Sequence, residues 1–301
     1  MKKYLYFSIT ILLIIIVPLI ITEITLRYIG LGDPVRYDSN YIYGYSPKIN
    51  QYKKRFKNSK IRINEVGLRM EGRWDQNKKK ILFIGDSITY GGSYIDDKEL
   101  FSYLVCKDIK EFICGNAGVN AYSIFNMVYR SKYDLRINDA DIIIILVAPG
   151  DFYREYANAQ TAHFYLNNEN FFFSGIAEAI SFLATRYDLN KYISKKNDSQ
   201  TRNIHDLVDL SIYLLDKEIE RLEKNKKVFL FYTIEKSDPN SEKNINNYIF
   251  ESMKKNVKKQ FINLNSTLNS STYFYDDVHY TKEGHEIVSK KIISTLKSSI
   301  N

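Results

Sequence analysis

Two short stretches of the chain carry side chains that could do nucleophilic chemistry together, although they lie far apart in sequence. The first, Ile81-Leu-Phe-Ile-Gly-Asp-Ser-Ile-Thr-Tyr-Gly91, runs from an apolar segment straight into a polar turn holding Gly85, Asp86 and Ser87. The second, Tyr273-Phe-Tyr-Asp-Asp-Val-His279, places Asp276 three residues before a histidine. A serine hydroxyl attacks poorly until a base takes its proton, and an imidazole base needs a carboxylate to fix its tautomer and stabilise the cation it becomes. Ser87, His279 and Asp276 are the residue types that this division of labour requires. Each stretch alone also has a plainer reading: a serine after a strand is commonly a helix N-cap, and a lone Asp-x-x-His is commonly a surface turn. Asp277 competes with Asp276, and the three-residue spacing favours Asp276 as the partner that meets His279 across a turn.

The elements that must position these residues follow from hydrophobic patterning. Short apolar runs at 81–84, 112–114, 142–147 and 228–232 alternate with segments of helical periodicity at 99–109, 123–133, 204–222, 246–257 and 282–296. Strands apolar on both faces and separated by helices predict a parallel sheet covered on each side, with ligands at the strands' carboxyl ends. Ser87 falls at such an end, where the N–H groups opening a helix favour an oxyanion on an attacked carbonyl. Residues 152–203 interrupt the alternation with an aromatic-rich insert including Phe164, Tyr165, Phe171, Phe172, Phe173 and Phe182. It reads as a small subsidiary core or membrane contact, with a substrate lid as the alternative.

Taken together, Gly85-Asp86-Ser87 and Asp276 to His279 resemble the first and last blocks of the SGNH hydrolases, the GDSL-like esterases and lipases. The resemblance covers 80–301. It implies a flavodoxin-like three-layer α/β sandwich with a central parallel sheet of about five strands, a Ser87, His279, Asp276 triad, and neither metal nor cofactor. It also implies oxyanion donors in two middle blocks. Asn116-Ala-Gly-Val-Asn-Ala-Tyr122 corresponds to the second, with Ala121 at the donor position and Gly118 in an alternative register. Ala148-Pro-Gly-Asp151 corresponds to the third, and here Gly150 stands where the family has asparagine. Loss of one such donor typically costs about 2.7 to 4 kcal/mol. The N–H groups of Ser87 and Ala121 would remain, with the Gly150 N–H or the side chains of Asn120 or Arg154 as substitutes for the missing amide.

Upstream, Tyr4 to Thr22 is uncharged and at about 1.5 Å per residue spans roughly 28 Å, enough to cross a bilayer's hydrocarbon layer. Lys2 and Lys3 precede it, which predicts a cytoplasmic N-terminus and an extracytoplasmic remainder. The run is long for a signal peptide, and no small-x-small site follows it before Arg27. Residues 1–29 therefore read as a signal-anchor and 30–79, polar and tyrosine-rich, as a membrane-proximal linker that partly packs on the domain. The net charge of +8 comes without a basic recognition helix or stacking motif, which excludes nucleic acid as the expected partner. Neither His163 nor His205, with Asp206 and Asp209, has metal-ligand spacing, and Glu283 and His285 in the last helix read as exposed or packing residues. Cys106 and Cys114 fit either a disulfide or two buried thiols. The expected function is hydrolysis of O-acyl esters, O-acetyl among them, on a cell-envelope glycan or lipid. Acyl transfer by the same triad, or a non-catalytic glycan-binding or assembly role, are the alternatives.

Overall fold

The computed structural model describes residues 2–74, 77–158, 174–186, 203–233 and 243–300. His163 and Phe164, Tyr165 and Phe171 to Phe173 of the aromatic insert lie outside them. Five strands form one parallel sheet: β5 (Lys79–Ile84), β6 (Phe112–Asn116), β7 (Ile142–Val147), β8 (Lys227–Tyr232) and β9 (Ile262–Asn263), in the order β6-β5-β7-β8-β9. Counted within this sheet, that is the 2-1-3-4-5 order of flavodoxin-like folds. Ile81 pairs with Cys114 on one side and Ile142 on the other, so β5 is flanked by strands whose ends lie level with its own.

The two-residue side-chain period of the strands divides the interior. Leu82, Ile84, Ile143, Ile145, Val147, Val228 and Leu230 face one layer, in a core shared with Ile124 and Met127 of α4 (Ile124–Tyr133) and Val208, Ile212 and Leu215 of α7 (Ile204–Glu223). Ile81, Phe83, Ile142, Ile144, Leu146 and Phe231 face the other, against Phe101 and Val105 of α3 (Phe101–Asp108) and Val288, Ile292 and Leu296 of α9 (Lys282–Ile300). Every residue of β7 is buried, as a central parallel strand requires. The remaining helices are α2 (Ser87–Tyr90), α5 (Pro149–Tyr153), α6 (Gly175–Arg186) and α8 (Lys243–Asn256).

The N-terminal quarter begins with α1 (Lys2–Tyr28), a single apolar helix whose membrane-length portion is not buried against the rest of the protein. After it come two antiparallel hairpins, β1 (Tyr37–Asn40) with β2 (Gly44–Pro47) and β3 (Gln51–Lys54) with β4 (Lys60–Ile63). Val35, Tyr37, Tyr45, Ile61, Ile63, Leu68, Met70 and Trp74 enter the same core as α4 and α7. Arg69 bridges backbone to Ile63 and to Asn116 at the carboxyl end of β6, which extends the sheet edge toward the hairpins. Residues 30–74 are thus structurally continuous with the sheet, since their apolar side chains share one core with it. Cys106 and Cys114 form a disulfide that ties α3 to β6.

Candidate active site

Ser87 opens α2 at the end of β5. Asp86 caps the helix, accepting the Ile88 N–H at 2.8 Å, and this holds the turn that presents the serine. Gly85 is required there, since a Cβ would stand 2.0 Å from Thr89 Oγ1 and 2.8 Å from the Leu146 carbonyl. From the far end of the chain, residues 273–281 fold back as a tight loop closed by Tyr275 N–H to the His279 carbonyl, 2.7 Å, and Thr281 N–H to that of Tyr273, 2.9 Å. At its tip the Asp276 carboxylate accepts the backbone N–H groups of Val278 (2.9 Å) and His279 (2.7 Å) through one oxygen. Its other oxygen lies 2.8 Å from His279 Nδ1, while His279 Nε2 lies 2.9 Å from Ser87 Oγ.

These distances fix the proton arrangement. A carboxylate facing Nδ1 places the imidazole proton on that nitrogen and leaves Nε2 able to accept the serine proton. Partial burial pushes the Asp276 carboxyl up, but the hydrogen bonds from the His279 ring and from the His279 and Val278 backbone outweigh it, bringing its pKa down to about 2. Asp276 is therefore a carboxylate at any physiological pH. Asp277 makes no such contact, and the structure brings together Ser87, His279 and Asp276.

The three residues line an open cleft of about 820 Å³, with Gly92, Ser93, Tyr94, Asn120, Ala121, Arg154, Tyr275 and Val278, and with Ile29 and Phe56 at one side. Of the two registers for the second block, only Ala121 reaches this cleft. It holds a left-handed backbone, φ 61°, a conformation that glycine adopts without strain. Gly118 instead packs beneath the nucleophile turn, where a Cβ would come within 2.3 Å of the Tyr90 nitrogen, and its N–H is spent on Asn116 Oδ1 at 2.9 Å. Gly118 is therefore not placed as an oxyanion donor. Gly150 is buried in the first turn of α5, which Pro149 opens and Asp151 caps by accepting the Ala148 N–H at 2.8 Å. It does not line the cleft. Among the polar side chains that do are Asn120, whose amide donates to the Tyr37 hydroxyl at 3.3 Å, and Arg154, which donates to the Tyr122 carbonyl at 2.9 Å and lies 3.4 Å from Asp86.

Sequence reasoning missed Arg69. Fully buried, it pairs with Asp97 at 2.8 Å and donates to the carbonyls of Tyr90 (2.9 Å), Gly92 (2.6 Å) and Ile95 (2.6 Å), so one guanidinium holds the loop that carries Tyr94 into the cleft. Its only sequence signal is a single arginine between Leu68 and Met70. Tyr45 and Tyr122 were missed too: the Tyr45 hydroxyl donates to the Asn120 carbonyl at 2.6 Å and the Tyr122 hydroxyl donates to the Tyr45 carbonyl, locking the first hairpin to the second block. His285 is buried between Phe101 and Tyr280, and its Nδ1 accepts the Phe101 N–H at 3.3 Å. Glu283 is exposed. His205 packs edge-on to Tyr248, whose hydroxyl donates to Asp209 at 2.7 Å.

Neither a family model nor a curated protein matches the chain. Among solved structures it is similar to a lipase/acylhydrolase from Enterococcus faecalis, with 16% identity over 73% of this chain and 96% of that one and a TM-score of 0.45. An acetyl xylan esterase matches at 19% identity over 72% and 99%, TM-score 0.44. A lipolytic protein of the G-D-S-L family from Veillonella parvula matches at 15% over 73% and 98%, TM-score 0.44.

Proposed function

We propose that the chain is a membrane-anchored serine ester hydrolase of the SGNH type. The observation that carries this reading is the continuous hydrogen-bond line from Ser87 Oγ through His279 to Asp276, with both links at 2.8 to 2.9 Å on the floor of an open cleft. His279 Nε2 takes the Ser87 proton as Oγ attacks the ester carbonyl. The backbone N–H groups of Ser87 and Ala121 face the oxyanion, and Asn120 supplies the side-chain donor that Gly150 lacks. His279 then gives its proton to the leaving alkoxide, and an acyl-serine remains. Water, deprotonated by His279, attacks that acyl group, and proton return to Ser87 releases the acid.

Retention of the anchor is supported by contacts that a cleaved leader would not make with the folded domain. The Glu23 carboxylate of α1 accepts the N–H groups of Gly175 and Ile176 at 2.9 and 3.0 Å, and a Cβ at Gly175 would stand 2.8 Å from that of Leu26. The exposed apolar surface of α1 is far beyond what a protein leaves to water. An extracytoplasmic catalytic domain so anchored meets envelope glycans and lipids, and O-acyl esters on these are the proposed substrates. The full-length protein in detergent is expected to hydrolyse aryl acetates, with Ser87→Ala and His279→Ala at background. Equal turnover in all three proteins would remove the reading.

A further inference from the structure

The cleft is not lined by the catalytic domain alone. Ile29, one residue beyond α1, and Phe56 and Lys57, in the turn between β3 and β4, line it together with Ser87 and His279. Ile29 continues the helix by donating its N–H to the Thr25 carbonyl at 3.1 Å. Ile29 lies seven positions beyond Thr22, the last of the uncharged run, or about 10 Å of helix. The polar layer of one leaflet is about 5 to 8 Å deep. Ile29 at the side of the cleft therefore sits at or just beyond the outer edge of the headgroups when α1 spans the bilayer.

A second set of contacts fixes this height. Arg27 pairs with Glu23 at 2.6 Å while Glu23 holds the first N–H groups of α6. From α6 the buried Glu178 returns to the other side of the junction, pairing with the buried Arg55 and accepting the Gly32 N–H at 2.5 Å. Arg55 is the neighbour of cleft-lining Phe56. Anchor, α6 and hairpin turn thus form one closed ring of bonds, half of it inaccessible to water, where a loose tether would need none. α6 also leaves Ile180 and Leu183 exposed, at 61% and 55%, and Ile24 and Tyr28 of the anchor are exposed too.

We propose that α6 lies on the bilayer surface next to α1, and that the ring of bonds through Glu23, Glu178 and Arg55 holds the catalytic cleft at headgroup height. The site then takes an ester carried by a membrane-inserted amphiphile, whose apolar part passes Ile29 and Phe56 while its acyl bond reaches Ser87. The occupant of the exposed α6 face is lipid, because α6 starts packed against the outer end of α1, a helix of membrane-spanning length. The substrate part of this proposal rests on the hydrolase reading; the surface part does not.

Two measurements on the full-length protein in phosphatidylcholine vesicles separate them. Leu183→Cys, labelled with an environment-sensitive fluorophore, is selective because both native cysteines are paired. Its emission is expected to fall when headgroup-proximal spin-labelled lipid is included, and emission indifferent to that lipid overturns the surface. For the substrate, a fluorogenic ester placed at the outer end of a lipid headgroup is compared with the same ester on a long polyethylene glycol spacer. The first is expected to turn over at least about tenfold faster, as positioned reactants do; equal rates, or a preference for the spacer, overturn the claim. Hydrolysis of neither ester nor of aryl acetate, with the Leu183 probe still quenched by lipid, would reject the hydrolase reading and leave the surface standing.

Discussion

In the proposed mechanism the oxyanion site turns on Asn120. Its amide faces the cleft with only a long bond to Tyr37, whereas Gly150 offers no side chain. Asn120→Ala is expected to lower kcat about a hundredfold, toward the low end of the cost of a lost oxyanion donor, with KM little changed. Steady-state kinetics that show full turnover in this variant, and a comparable loss in Arg154→Ala, would move the role to the guanidinium. His285 belongs to the same scale but to stability. Burial pushes its pKa down from the usual histidine value to about 3, so between pH 3 and 6.5 the unfolded chain binds a proton that the folded chain does not. Stability contributed by the neutral ring is present above pH 6.5 and is lost as pH falls, by up to about 5 kcal/mol. Denaturant unfolding of His285→Gln is expected to show a flatter pH dependence between 6.5 and 4 than the parent, and parallel slopes would contradict this assignment. Asp276 loses its stabilising charge only in a lower window, below the ordinary aspartate value and down to about pH 2.

At the scale of elements, the strands and helices that carry the site were legible because each has an unbroken apolar run or a helical face. The run Ile142 to Val147 reads as a strand buried on both sides, and Lys282 to Leu296 as a helix with Ile287, Val288, Ile292 and Leu296 near one face, of which Val288, Ile292 and Leu296 are buried. The hairpins of 37–63 were not legible: four-residue strands with polar residues on the exposed face give too few repeats of a period to stand out from a linker. Arg69 was hidden for a different reason, since a buried charge is recognisable only from its partners, and Asp97 and three carbonyls are brought to it by the fold. Removing it leaves Asp97 buried without its counter-charge, a change that costs about 3 to 5 kcal/mol in comparable pairs. Arg69→Ala is therefore expected to lower the unfolding free energy by about that amount and to disorder the Tyr94 loop. Equilibrium denaturation in detergent checks it, and a change under about 1 kcal/mol would show the loop to be held by other contacts.

At the scale of the whole molecule, the triad was readable from two blocks in the right order, but the cleft around it was not. One wall comes from the second block and the C-terminal loop, and the other from the end of the anchor and the hairpin turn. In the proposed topology that placement gives α1 a part in shaping the site beyond tethering it. The account still depends on Ser87 being a nucleophile. Treating the full-length protein with a fluorophosphonate and locating the adduct by mass spectrometry of its peptides tests this most directly. Modification of Ser87, lost in His279→Ala, is the expected result; an unmodified Ser87, or an adduct formed equally well without His279, would contradict it.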